Sequence, residues 1–287
     1  MREMHLRFGF QQSFFRETYQ IGEEVGEGMA DADFFHQTLP RLRAANKPFM
    51  AFLMTLSTHH PFGIPPHLAK LRLGDLEGTN LGKYLQTLHY FDSALDALLQ
   101  ELEVAGLLDT TVIAIYGDHR EYSLEPEVLE RVLTRNAGFP ARSPGFDARY
   151  WSDGNRLPFI VHLPHDRGAG RRFVTGGHLD IAPTLLNLLG IEGHGMTALG
   201  HDLTREEDML VVFRNGAFIL GDTACVPAGT VDAVARCGSV TTGESFAVDS
   251  FSPLFAAARE RLKISDIILR GDLISRPPAS PLSERQP

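Results

Sequence analysis

Thr110-Thr-Val-Ile-Ala-Ile-Tyr116-Gly117-Asp118-His119 is the stretch on which the reading of this chain turns. β-Branched and aromatic residues fill its first part, as in a strand buried on both faces, and it then breaks at a glycine followed by a carboxylate and an imidazole. A second such run, Pro48-Phe-Met-Ala-Phe-Leu-Met-Thr-Leu-Ser57, leads into Thr58-His59-His60-Pro61-Phe62. Between them Leu81, Leu85, Leu88, Leu95, Leu98, Leu99 and Leu102 recur at helical spacing, which predicts a helix from about Asn80 to Ala105 stopped by Gly106. Strand, helix and strand in this order predict a right-handed crossover with both strand ends on one edge of a mostly parallel sheet, where open α/β folds bind their ligands. His59 and Asp118-His119 are thereby expected to face one cleft.

Further along, Leu157-Pro-Phe-Ile-Val-His-Leu-Pro164 reads as another short strand, and Leu179 to Gly190 as a helix that Asp180 and Pro183 cap and start. Beyond it the pattern changes to short β-like pieces, Met209 to Phe213 and Ala217 to Leu220, and a helix from about Ser252 to Arg261. The expected organisation is an α/β domain over 1–200, a small α+β subdomain over 201–275 and a disordered tail over 276–287.

The chain has 287 residues, 43% hydrophobic and 22% charged, enough for one large α/β core or a core with a small appendage. A net charge of -9 without a basic stripe argues against nucleic acid as a partner, because such binding needs Lys and Arg to neutralise phosphates. The longest apolar runs are strand-length, short of the roughly 20 residues that span a bilayer, and the first residues lack the apolar core of a signal peptide. A soluble chain reads this way, and so does a fragment of a membrane-anchored protein. Cys225 and Cys237 could form a disulfide in an oxidising compartment or stay as two thiols in a loop; neither lies in a C-x-x-C pair.

Gly117-Asp118-His119 supplies a hard carboxylate beside an imidazole, which suits a divalent cation such as Mn²⁺ or Zn²⁺, although the same dipeptide also occurs in ordinary loop turns. His59 and His60 bring imidazoles to the same expected edge, or else stabilise a proline-containing turn, the reading favoured for His60.

Several motifs in order carry a more specific message: Gly28-Met-Ala-Asp31-Ala-Asp33-Phe34-Phe35; Lys47-Pro48-Phe49 through Ser57-Thr58-His59-His60-Pro61-Phe62; Tyr84 through His89-Tyr90-Phe91-Asp92; Gly117-Asp118-His119; Leu157-Pro158-Phe159; and Gly177-His178-Leu179-Asp180-Ile181-Ala182-Pro183-Thr184. From about Met4 to Ile191 the chain resembles the lipoteichoic acid synthase and phosphoglycerol transferase branch of the sulfatase-like alkaline phosphatase superfamily. The resemblance implies a mostly parallel sheet flanked by helices. It also implies a metal-activated threonine that takes glycerophosphate from phosphatidylglycerol and passes it to a glycan or polyol acceptor. Asp118 and His119 then correspond to two ligands of one divalent cation, Mn²⁺ first, with Mg²⁺, Ca²⁺ or Zn²⁺ as alternatives. His59 corresponds to a histidine on the head group, and Arg2, ahead of Phe8-Gly9-Phe10, to an arginine there. Relatives of this kind are membrane-anchored with the catalytic domain outside the cell.

The departures shape the expectation as well. The threonine nucleophile and the acidic ligand lie upstream of the matched motifs, so this chain is expected to lack them along with the first strands of the sheet, and to turn over no phosphatidylglycerol alone; Thr55 and Thr58 do not replace the nucleophile by position. Arg120 puts a large cation beside the metal pair, and His178 reads as structural or as a support to the ligands. Alternative functions are a sulfatase, a phosphoethanolamine transferase or a catalytically inactive domain. Neither cysteine lies in the C-x-P-x-R setting from which sulfatases make formylglycine.

Overall fold

The computed structural model describes residues 5–273 except 7, 137–145, 193–198, 206 and 229–234; Arg2 and the tail over 276–287 lie outside the described residues. Contacts divide the chain into two units, the first built from 1–141 and 158–169, the second from 142–157 and 170–287. Residues 170–200, which the sequence reading joins to the first domain, thus pack in the second unit. Side chains of the 180s account for this: Asp180 accepts the His201 N–H at 2.7 Å, and Thr184 Oγ1 accepts the Leu203 N–H at 2.9 Å.

In the first unit Glu24–Val25 (β1) and Gly28–Met29 (β2) form a tight hairpin that runs into the helix Asp31–Ala44 (α1). The long helix Asn80–Val104 (α2) matches its expected bounds. Thr79 Oγ1 accepts the Gly82 N–H at 2.9 Å, and the Glu125 carboxylate accepts the N–H groups of Asn80 at 2.8 Å and Leu81 at 3.3 Å, so the first-turn donors are met. These bonds, led by that from Asn80, hold the Glu125 carboxyl below the ordinary 4.5. At the other end Gly106, at φ +66°, lets the chain reverse so that Leu107 N–H reaches the Leu102 carbonyl at 2.9 Å. Phe35 of α1 packs with Leu98 and Leu102 of α2 and with Leu107 to form the core.

Ile113–Tyr116 (β3) is the expected strand before Gly117, and it pairs with Phe159–His162 (β4) in antiparallel register, Ile113 opposite His162 and Tyr116 opposite Phe159. The helix Pro126–Asn136 (α3) lies between them in sequence. The run Pro48–Ser57 forms no ladder among the described residues, where every paired strand is antiparallel. It keeps a strand's alternation nonetheless: Met50, Phe52 and Met54 are 78%, 52% and 63% exposed, while Ser57 is buried. A strand is defined by a partner's N–H and C=O groups, and no described strand forms a ladder with this segment.

The second unit holds the helix Ala148–Asp153 (α4), the helix Ile181–Leu188 (α5) and an antiparallel meander of five strands: Val211–Val212 (β5), Phe218–Leu220 (β6), Thr223–Val226 (β7), Arg236–Ser239 (β8) and Ser245–Phe246 (β9). The helix Ser252–Arg270 (α6) follows, longer than expected. Phe218, Cys225, Cys237 and Ala258 form its buried centre. Cys225 and Cys237 face each other across β7 and β8 with Cα atoms 4.2 Å apart and are joined by a disulfide. Reducing it, or replacing both cysteines with alanine, should lower the stability of this unit by about 2 to 3 kcal/mol. The lone tryptophan, Trp151, packs on Phe213 in the same unit, so its fluorescence reads the transition; a midpoint indifferent to reductant would refute this. No described helix is long and apolar enough to cross a membrane.

Candidate metal and phosphate site

The histidine loop is held by the hairpin rather than by a sheet. Gly26, at φ +68°, sits so close to the end of the Pro48–Ser57 run that a Cβ there would lie 2.4 Å from the Leu56 carbonyl oxygen. Its N–H donates to the Gly63 carbonyl at 2.7 Å, and that of Glu27 to the Leu56 carbonyl at 3.4 Å. At the start of α1 the buried Asp31 Oδ1 accepts the N–H groups of Leu56 at 3.1 Å and Ser57 at 3.4 Å, and the Asp31 N–H donates to Ser57 Oγ at 3.0 Å. Burial pushes the Asp31 carboxyl above its ordinary 3.8, with the donors of Leu56 and Ser57 acting in the opposite direction. His59 therefore emerges from a backbone pinned on both sides, its Nδ1 2.7 Å from Glu27 Oε2 and 2.8 Å from the His60 carbonyl.

Asp118 and His119 follow β3 directly, and both side chains are well exposed. Asp118 Oδ1 accepts the His119 N–H at 2.8 Å, which turns Oδ2 toward the imidazole, 3.6 Å from Nε2. His119 Nδ1 lies 2.9 Å from the Arg120 carbonyl, and a carbonyl can only accept, so in the neutral ring Nδ1 carries the proton and Nε2 the lone pair. A histidine that donates one ring N–H to a carbonyl and presents the other nitrogen beside a carboxylate has the arrangement usual for a metal ligand. The pair thus fits a divalent cation as two of its donors. Among the described residues no group of three or more His, Cys, Asp and Glu side chains could hold a metal. The rest of a shell of roughly four to six donors would come from water, ligand oxygens or groups beyond those residues.

The two loops meet through their neighbours. Phe62, buried, packs edge-on to His60 and tilted against Tyr84, with ring centroids 5.5 and 5.2 Å away. Burial raises the Tyr84 hydroxyl above 10.0, and the Glu121 charge adds to that. Burial would likewise raise the Glu121 carboxyl, but hydrogen bonds from Ser123 and Tyr122, with the nearby His60, bring it below 4.5. Glu121 therefore links the segment after Asp118-His119 to the turn after His59.

Other residues stand elsewhere. The Arg120 guanidinium lies over the Tyr122 ring at 4.7 Å rather than on Asp118. His178 belongs to the second unit, where Asp180 does not cap α5 with its side chain but accepts the Gly177 N–H at 2.7 Å. Sequence reasoning passed over Glu27 and Glu121; an isolated glutamate carries no signal until the fold supplies its partner.

Comparison with known proteins bears on the family and the fold. The sulfatase family matches residues 4–191. The chain is 30% identical over 283 residues to lipoteichoic acid synthase 1 of Bacillus subtilis, covering 95% of this chain and 41% of that protein, so it spans less than half the length of this relative. Its fold superposes on the crystal structure of the lipoteichoic acid synthase LtaP from Listeria monocytogenes with a TM-score of 0.81 at 26% identity, over 94% of this chain and 66% of that one. A protein of the alkaline phosphatase superfamily from Vibrio parahaemolyticus shares the fold at a TM-score of 0.66 and 17% identity. With residues 4–191 matched, the chain belongs to the sulfatase family, and it is similar there to lipoteichoic acid synthases of the alkaline phosphatase-like fold.

Proposed function

We propose that this chain carries part of the centre of a metal-dependent phosphoglycerol transferase, with Asp118 and His119 as ligands of one divalent cation and His59 on the phosphoglycerol head group of a phospholipid. Enzymes of this superfamily generally use a divalent metal ion; Mn²⁺ suits a mixed carboxylate and imidazole pair. The observation that carries the reading is the paired geometry after β3, with Asp118 Oδ2 3.6 Å from His119 Nε2 and the other ring nitrogen on the Arg120 carbonyl. When bound, the cation supplies Lewis-acid polarisation of the phosphoryl oxygens. His119 stays in one tautomer through its Arg120 hydrogen bond, and His59 offers Nε2 to a phosphate oxygen or a glycerol hydroxyl. The acceptor would be a glycan or polyol. The disulfide favours placement outside the cytoplasm, since such bonds persist in oxidising surroundings. It also argues against a cysteine-derived sulfatase nucleophile, because both cysteines are bridged.

The test is calorimetric titration of the 287-residue chain with sn-glycerol 1-phosphate, with and without Mn²⁺. Mn²⁺ should tighten binding by about 10-fold or more, and His59→Ala should weaken it by a similar factor. Binding indifferent to Mn²⁺ would defeat the reading.

A further inference from the structure

Glu27 occupies the turn between β1 and β2, opposite the loop that carries His59. Its Oε2 and the His60 carbonyl oxygen, 2.7 and 2.8 Å from His59 Nδ1, are both acceptors, so this nitrogen holds the proton. Nε2 has no protein partner among the described residues and is the nitrogen left for a ligand. The two side chains are 48% and 59% exposed, so their contact adds little stability, in keeping with a pair that serves orientation. The backbone beneath them is fixed by the Gly26 and Glu27 hydrogen bonds to Gly63 and Leu56.

We propose that Glu27 is a positioning residue for His59: its carboxylate, together with the His60 carbonyl, holds the tautomer protonated on Nδ1 and aims Nε2 at the oxygens of a glycerophosphate group. This rests on the reading of His59 as the head-group contact. A neutral ring in this tautomer accepts from a glycerol hydroxyl through Nε2, and a ring protonated on both nitrogens donates to a phosphate oxygen, its single positive charge offset by the carboxylate. Glu27 approaches through Nδ1, so the imidazole separates its negative charge from a phosphate held at Nε2.

The experiment uses the full chain with ¹⁵N-labelled histidine and sn-glycerol 1-phosphate plus Mn²⁺ as the probe. Long-range ¹H–¹⁵N spectra, recorded before paramagnetic Mn²⁺ is added and at about pH 8, where free imidazoles are neutral, read the His59 tautomer directly. In Glu27→Ala, where the His60 carbonyl is the acceptor left on Nδ1, the Nδ1-protonated fraction should fall and affinity for glycerophosphate should drop about 10-fold. Glu27→Gln, which keeps an acceptor at the same place, should restore the Nδ1-protonated form and most of the affinity. An unchanged tautomer and affinity in Glu27→Ala overturns the proposal. A shifted tautomer together with full affinity in His59→Ala instead overturns the head-group role of His59, leaving the Glu27–His59 pairing as structure alone.

Discussion

Asp118→Ala should abolish measurable Mn²⁺ binding, a loss on the order of 100-fold or more in affinity, while leaving the fold intact. Its side chain is 84% exposed, and its contacts are to the following residue, the His119 N–H at 2.8 Å and the His119 ring at 3.6 Å. Alanine therefore removes no core contact, but it leaves a single imidazole to hold a cation that needs several donors. Asp118→Asn keeps an acceptor for the His119 N–H while removing the negative charge, so it should fall between parent and alanine. The measurement is the electron paramagnetic resonance signal of free Mn²⁺ during titration, with a thermal melt as control. Parent-like affinity in Asp118→Ala, with an unchanged melt, would remove Asp118 from the metal site.

The largest effect on folding is expected at Asp31. Alanine there deletes the acceptor for the part-buried Leu56 N–H and the buried Ser57 N–H, and the stranded donors together cost about 2 to 4 kcal/mol, or roughly 4 to 12 °C in midpoint. Asp31→Asn should behave differently. Because burial raises this carboxyl above 3.8, the folded chain holds the proton more tightly than the unfolded chain, and keeping the carboxylate ionised at neutral pH detracts from stability. Asparagine retains one acceptor and has no charge to bury, so it should be far milder than alanine at pH near 7, and its advantage over the ionised aspartate should shrink as pH falls through the raised folded value and vanish below the unfolded one. Thermal denaturation gives the stabilities, and hydrogen exchange at Leu56 and Ser57 shows whether the histidine loop loosens. Equal stability and equal protection in parent and Asp31→Ala would rule out this role.

Periodicity and punctuation in the sequence were enough to place several elements. The leucines from 81 to 102 make an amphipathic helix wherever they find a core, and Gly106 ends it because glycine takes positive φ without a Cβ clash. The apolar run before Gly117 makes a strand, and Gly117-Asp118-His119 comes after it for the same local reason. Motif order alone also indicated the family, which the matched stretch over 4–191 bears out.

Partners were a different matter, since a strand's pattern says that it will be buried and not which chain segment lies beside it. That β3 pairs antiparallel with β4, and that Pro48–Ser57 keeps a strand's alternation without a ladder among the described residues, emerged only from the tertiary structure. The strands around Cys225 and Cys237 were hidden as well, because glycine, arginine and serine in Arg236–Ser239 have weak strand propensity and pair through the disulfide and their neighbours' burial. At the site, the sequence by itself determined the chemical kinds, a carboxylate and imidazoles after apolar runs. Only the folded chain decided which nitrogen of His59 and of His119 is free, because that depends on Glu27, His60 and Arg120, whose acceptors the fold brings within hydrogen-bond distance of one ring nitrogen in each.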